Sequence, residues 1–291
     1  MRIGGRVSAF IDKWQEITSD KKILSMIRGI KLEFKETPFQ SNYTPQYKFD
    51  DKTKKAMDTE IELLLQNDII EESFHETGEI ISNIFCRPKK SGGIRIIGNF
   101  KDINKQIVYH KFKQSTISST LDMIRKNVWM TSIDITQAYF CLKVHKEDRK
   151  FLKFEWNGKL YQFRGMAQGI SSAPRIFTKI MNKALAFLRS KNIDITSFID
   201  DLLCLANSYE ECLRITEFTV SFLQSLGFII NFDKSVLKPT QLIVHLGLQI
   251  DSVAMTVRVT QDKCEHMKTL CKNILAKDFL LSEKFLKLLE L

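Results

Sequence analysis

Glycine and proline are scarce in this chain of 291 residues, at 12 and 5 respectively, which excludes collagen-like and linker-rich architectures. No apolar run approaches the ~18 residues of a membrane span, so no membrane association is expected. The opening MRIGGRVSAFIDKW lacks the apolar core of a secretory signal. The six cysteines include no C-x-x-C pair, so the paired spacings of a structural zinc site are missing and free thiols in a reducing, intracellular compartment (cytoplasm or nucleus) are expected. Disorder is equally excluded, because 44% of the residues are hydrophobic and 21 are Phe, enough for a sizeable core.

What is present is a lopsided charge distribution. The net charge is +10, but residues 86–126 carry ten Lys and Arg against two Asp, or +8. Residues 50–80 carry ten acids against three lysines, or −7. A concentrated basic segment suits a polyanion such as nucleic acid or nucleotide phosphate.

The hydrophobic pattern supplies the elements. Phe10, Ile11, Trp14 and Ile17 form a short amphipathic stretch, followed by an extended segment punctuated by Pro38 and Pro45. Residues 53–67 read as a helix burying Met57, Ile61, Leu64 and Leu65. NIFCRPKKSGGIRIIGNF reads as two strands around a Lys-Ser-Gly-Gly turn, and VWMTSID as a strand ending at Asp134. Residues 172–189 carry one long apolar stripe, with Ser171 or Ser172 as cap and Pro174 in the first turn. IDITSFIDDLLCLA reads as a β-hairpin with Asp200 and Asp201 at its turn. Residues 209–226 form a further helix, with a Ser208-x-x-Glu211 capping box and Gly227 as its stop. FIINFD, LIVHLGLQI and MTVRV read as strands; helices are expected from Thr260 and again after Ser282, the latter still running at Leu291. The order predicts an α+β fold of the split β-α-β type, an antiparallel sheet backed by helices.

In that arrangement Asp134, Asp200 and Asp201 converge on one sheet edge. Clustered anions repel unless cations bind among them. Carboxylate oxygens favour Mg²⁺ or Mn²⁺, and two such ions suit in-line phosphoryl displacement. An Asp-Asp turn is more often a solvated loop, but this one is embedded between Phe198-Ile199 and Leu202-Leu203.

With these residues in place the chain resembles the reverse transcriptases of retroelements. The matching segments, in order, are Lys89–Arg95 with Asn99–Asn104, then Ser132–Phe140, Met166–Gly169 with Ser172–Pro174, Phe198–Asp201, Leu226–Phe228 with Lys234, and His245–Leu248. The opening Ile3–Val7 and the tail Ile250–Thr256 look most like DIRS-type elements, relatives of the gypsy-like LTR retrotransposons. The resemblance implies a right-hand RNA-directed DNA polymerase that extends a primer on an RNA or DNA template with dNTPs and two Mg²⁺ or Mn²⁺ ions. It implies an N-terminal extension (1–50), fingers (51–127 and 145–165), palm (128–144), palm with primer grip (166–250) and a partial thumb (251–291). Asp134 and Asp200 would ligate metal with Asp201 in support, and the Ile135 carbonyl would add a ligand. Arg95, with Lys89 or Lys90, would bind the dNTP phosphates. Tyr139 would exclude a 2′-hydroxyl, Gln168 and Gly169 would meet the nucleotide, and Lys234 would protonate the leaving pyrophosphate. Leu246, Gly247 and Leu248 would grip the primer. Two departures are visible: Phe198 where Tyr is usual, and Asn99 where relatives carry Asp. A catalytically idle, retroelement-derived nucleic-acid-binding protein is the second reading, and the intact acids argue against it.

Overall fold

The computed structural model of the chain describes residues 2–41, 47–89 and 92–275. A 3-10 turn at Arg6–Phe10 leads into α1 (Ile11–Ile17), and α2 (Lys21–Arg28) starts at Asp20, whose carboxylate accepts the N–H groups of Lys22 and Ile23. The acidic helix α3 (Asp51–Gln66) is capped by Asp50; it buries Met57, Ile61 and Leu64 as expected, while Leu65 stays half-buried. Next come β1 (Ile70–Glu72), β2 (Ile84–Pro88) and β3 (Ile94–Gly98), then α4 (Lys101–Gln106), α5 (Ile117–Leu121) and β4 (Trp129–Asp134). Strands β5 (Lys153–Trp156) and β6 (Lys159–Phe163) precede the long helix α6 (Ala173–Ser190). The hairpin β7 (Asp194–Phe198) and β8 (Asp201–Ala206) leads to α7 (Tyr209–Ser225) and β9 (Val236–Thr240). The chain continues through β10 (Leu242–His245), β11 (Leu248–Asp251) and β12 (Thr256–Val259) into α8 (Gln261–Leu275). Pro45, Lys90 and the helix expected after Ser282 lie outside the described residues.

The central sheet is antiparallel in the order β7-β8-β4-β9, with α6 packed on β7 and α7 on β4, β8 and β9. Strand β8 is the pivot. Leu202 and Cys204 enter the main core with Ile176, Phe177 and Ile180 of α6, while Leu203 and Leu205 face the other way. There they join Met130 of β4 and Ile243 and Ile250 of the β10-β11-β12 sheet in a second core. A strand buried on both faces reads as an unbroken apolar run, which is why DLLCLA shows no alternation. Two smaller sheets, β1-β6-β5 and the β2-β3 hairpin, sit toward the acidic and basic segments.

Several local expectations are corrected. FIINFD is not a strand: Ile230 makes a single bridge to Ile135, and the chain turns at Asn231 before pairing resumes in β9. LIVHLGLQI is not one strand but a hairpin, because Leu246 and Gly247 both take positive φ (52° and 74°), the sign pattern of a two-residue type I′ turn. Ser172 occupies the N-cap of α6 without donating or accepting a capping bond, and its hydroxyl is buried without a partner. Only half of the α7 capping box forms: Ser208 accepts from the Glu211 N–H, while the Glu211 carboxylate turns to the Asn207 N–H. All six cysteines are free, but only Cys141, Cys204 and Cys212 are buried. No described helix is long and apolar enough to cross a membrane.

One close approach joins Gly165 to the segment that follows β4. A Cβ added to Gly165 would lie 2.4 Å from the Phe140 carbonyl oxygen and 3.0 Å from its Cα. Backbone cannot yield as a side chain can, so Gly165→Ala is expected to cost roughly 1–3 kcal/mol. A urea unfolding midpoint unchanged from wild type would show that the two segments do not approach so closely.

Candidate active site

The β4–β8 register sets Asp134 directly opposite Asp201, on the same face of the sheet. Asp200 lies one residue earlier, in a two-residue turn with Ile199 at φ 57°. Positive φ at the first central position is the pattern of a type II′ turn, normally given to Gly. A β-branched residue there is strained, and such strain persists where flanking structure over-determines the backbone.

Asp134 is clamped from the other side. Its N–H donates to Ser235 Oγ (3.0 Å), and its carbonyl accepts from the Asn231 N–H (2.8 Å). The Asn231 side chain also hydrogen-bonds the Asp134 carboxylate, and Asn231 Oδ1 accepts the Lys234 N–H. The next residue, Ile135, donates its N–H to the Asp200 carbonyl (3.0 Å), so its own carbonyl points toward the same hairpin.

A cavity of about 680 Å³ opens beside this edge. Asp134, Ile135, Tyr139, Gln168, Asp200 and Lys234 line it together with Lys89, Arg95 and Glu60. Asp201 stands behind this lining, felt through its charge. Burial raises the affinity of all three acids for protons. Asp200 is raised further by Asp134, while Lys234 and Arg95 oppose the shift. Asp201 is pushed up to about 6 by burial and then by Asp200 and Asp134. The Tyr139 hydroxyl is pushed up to about 12 by burial and the nearby Asp200, so it stays a neutral phenol. Its ring stands edge-on to Phe177, with centroids 5.9 Å apart.

The remaining expected residues are placed as follows. Lys89 is half-buried and engaged: its ammonium meets both oxygens of Glu60 at 2.9 Å. Arg95 is exposed on β3. Gly169, at φ +103°, sits where a Cβ would be 2.8 Å from the Gly98 carbonyl, so the approach it permits is to β3 itself. Leu246, Gly247 and Leu248 lie at the β10–β11 hairpin, outside the cavity lining.

Residues that the sequence reading passed over also line the cavity: Glu60, Thr136, Gln137, Asn231 and Asp233. Asn231 and Asp233 were visible only as neighbours of Lys234. Glu60 was one acid among ten in its segment, and its inward face is fixed by the packing of α3 on β3.

The donor set suits a hard divalent cation, because carboxylate and carbonyl oxygens are the only ligands offered. Among the described residues, however, no three Asp, Glu, His or Cys side chains are drawn together as a ready-made metal cage. The edge supplies part of a coordination shell, leaving the rest to water or substrate oxygens, as Mg²⁺ sites commonly do.

A family model described as reverse transcriptase (RNA-dependent DNA polymerase) matches residues 87–250. The chain belongs to the reverse transcriptase family. Members of that family are nucleotidyltransferases. Similar curated proteins include the Tf2-3 and Tf2-7 transposon polyproteins of Schizosaccharomyces pombe (strain 972 / ATCC 24843), 26% and 25% identical over 242 residues. The match covers 82% of this chain but 18% of each polyprotein, so the chain spans about a fifth of the length of these relatives. Among solved structures, the foamy viral protease-reverse transcriptase in complex with dsDNA aligns with TM-score 0.67 at 18% identity, over 94% of this chain and 62% of that one. The same viral protein in complex with an RNA/DNA hybrid aligns with TM-score 0.64 at 17% identity, over 91% and 37%. The fold is thus the right-hand α+β fold of reverse transcriptases.

The raised Asp201 carries a stability signature. Its folded proton affinity exceeds the unfolded one, so the folded state holds the extra proton between about pH 4 and 6. Its contribution to stability therefore falls as pH rises through that window. Asp201→Asn is expected to stabilise the metal-free chain by roughly 1–2 kcal/mol at about pH 7.5, after discounting for partial exposure. Near pH 4.5 the gain should shrink to a fraction of that. Urea midpoints showing an equal gain at both pH values would mean that charge repulsion is not its source.

Proposed function

We propose that this domain is an RNA-directed DNA polymerase that extends a primer with dNTPs during retroelement replication. The observation that carries the reading is one cavity lined by Asp134 and Asp200 together with Arg95 and Lys89. Residues 51–127 and 145–165 act as fingers in this reading. Residues 128–144 and 166–250 act as palm and primer grip, 251–291 as the start of a thumb, and 1–50 as an N-terminal extension. The affiliation with DIRS-type elements rests on the opening and tail residues alone.

Asp134 and Asp200 hold divalent metal with the Ile135 carbonyl, and Asp201 adds negative charge from behind. Two Mg²⁺ or Mn²⁺ ions, when bound, supply Lewis acidity to the attacking and leaving oxygens of the displacement. Arg95 offers a planar fork of donors to the nucleotide phosphates, with Lys89 or Lys90 as point charge. Tyr139, held neutral and edge-packed on Phe177, closes the cavity beneath the sugar and disfavours a 2′-hydroxyl. Gln168, which lines the same cavity, meets the nucleotide. Lys234, whose charge favours the ionised acids, is the proton donor to the departing pyrophosphate. Template and primer follow the basic segment 86–126 and the Leu246–Leu248 hairpin, a contact made largely to phosphates. The foamy viral structures, solved with dsDNA and with an RNA/DNA hybrid, support this choice of partner.

Primer extension on poly(rA)/oligo(dT) with Mg²⁺ tests the proposal. Wild type should incorporate dTTP, and primer–template affinity should fall steeply with added salt. Asp200→Asn should abolish extension while leaving primer–template affinity unchanged or slightly higher. Arg95→Ala should lower kcat/KM for dNTP by about 10²–10³, the loss typical of a donor aimed at developing charge. Wild-type chain that binds primer–template yet incorporates nothing with either Mg²⁺ or Mn²⁺ would leave the idle-binder reading in its place.

A further inference from the structure

The N-terminal segment, outside the matched residues 87–250, is packed directly onto the turn that follows α7. Trp14 is fully buried, and its Nε1–H donates to the Leu226 carbonyl (3.0 Å). Arg6 Nε donates to the Gly227 carbonyl (3.1 Å), and a Cβ on Gly227 would collide with Phe10 (2.6 Å) and the Val7 Cα (3.0 Å). The Val7 N–H donates to the Cys141 carbonyl, and the Gly5 N–H to the Phe140 carbonyl, next to Tyr139. From Trp14 a continuous run of edge-packed rings leads inward. Trp14 meets Phe228 at 6.1 Å, Phe228 meets Phe177 at 6.0 Å, and Phe177 meets Tyr139 at 5.9 Å. Trp14, Phe177 and Phe228 are each at most 1% exposed, so none has free space into which to relax.

We infer that the N-terminal segment is a specificity element of this polymerase, with Trp14 a positioning residue that sets the height of the Tyr139 ring through Phe228 and Phe177. The inference rests on the reading of Tyr139 as the surface beneath the sugar. Edge-to-face ring pairs have preferred geometries, and a close-packed interior passes a displacement on rather than absorbing it. Loss of bulk at Trp14 lets Phe228 settle outward, Phe177 follow and Tyr139 recede, leaving room for a 2′-hydroxyl. The same segment holds the chain just after Tyr139, at Phe140 and Cys141, through Gly5 and Val7, so the ring stack and the backbone act on one place.

The test uses the full chain with 3-fluorotyrosine at position 139, which gives a fluorine resonance independent of turnover. Trp14→Phe keeps a ring but loses the donor and part of the volume. It should move that resonance and raise the rNTP/dNTP ratio of kcat/KM roughly three- to tenfold. Phe218→Leu, at an exposed ring stacked on Phe222 of α7, should move neither. In a Tyr139→Val background, Trp14→Phe should leave the ratio where Tyr139→Val alone put it. A cooperatively folded Trp14→Phe that leaves the resonance unmoved, or slows both sugars in parallel with no change of ratio, overturns the inference and makes Trp14 a purely structural residue. If Trp14→Phe does not fold, Phe228→Leu takes its place with the same expected outcomes. If wild type incorporates no nucleotide at all, the polymerase reading fails by itself; the coupling of Trp14 to Tyr139 is then decided by the fluorine shift alone.

Discussion

Everything at the site depends on the register of β4 against β8. Opposing Asp134 to Asp201, with Asp200 in the adjoining turn, concentrates negative charge on a partly buried edge. Burial and mutual repulsion work against that arrangement, raising the proton affinity of the acids, and Lys234 offsets them only in part. It is held by burial elsewhere. Leu202 and Cys204 belong to one core and Leu203 and Leu205 to another, so the two faces of β8 are committed to different partners. A slip of one residue would exchange these sets and misplace both. The strained φ of Ile199 is tolerated for the same reason, because strands on either side already fix where the turn must fall.

The parts of this structure that were legible in the sequence are those governed by local pattern. The stripe of α6, the apolar runs flanking Asp200 and Asp201, and the β2–β3 hairpin all follow from residue periodicity and turn chemistry. The misread parts are those where tertiary contact overrode the pattern. Phe228, Ile229 and Ile230 are apolar enough for a strand, but Phe228 packs on Trp14 of the N-terminal segment and Ile230 makes a single bridge to Ile135, just past β4. The strand that does form, β9, contains Pro239, which would be costly in mid-sheet; as an edge strand, β9 can leave the missing N–H on its open side. The Leu246-Gly247 turn was hidden because its first residue is apolar and offers no turn signal. One signal was readable and went unused: Asn157-Gly158, both at positive φ, joins β5 to β6 as such dipeptides commonly do.

The candidate site was legible in its chemistry and not in its wiring. The acids, Arg95, Tyr139 and Gln168 could be named because they stand in matching motifs. Glu60 and Asn231 could not, because each acts by pairing with a residue far away in sequence. Asn231 ties the Asp134 carboxylate to the Lys234 backbone, and Glu60 occupies Lys89 with both oxygens. Side-chain pairings of this kind follow from the packing of α3 and of the turn before β9, and neither is encoded by spacing.

The charges of the cavity are consequently not distributed as a simple basic funnel. Lys89 is already satisfied by Glu60, whereas Arg95 and Lys234 look toward acids that burial has made reluctant to ionise. Acids without cations are unfavourable in a half-buried space, where water screens poorly, whereas the exposed Arg95 and Lys234 are open to an incoming anion. On the polymerase reading, a nucleotide triphosphate with its metal would suit both groups: the carboxylates would hold the metal and the guanidinium would meet the phosphates. The arrangement then favours the complete complex over either component alone. A binder of bare nucleic acid would gain from Arg95 and Lys234 but would have no use for three carboxylates held against their own repulsion.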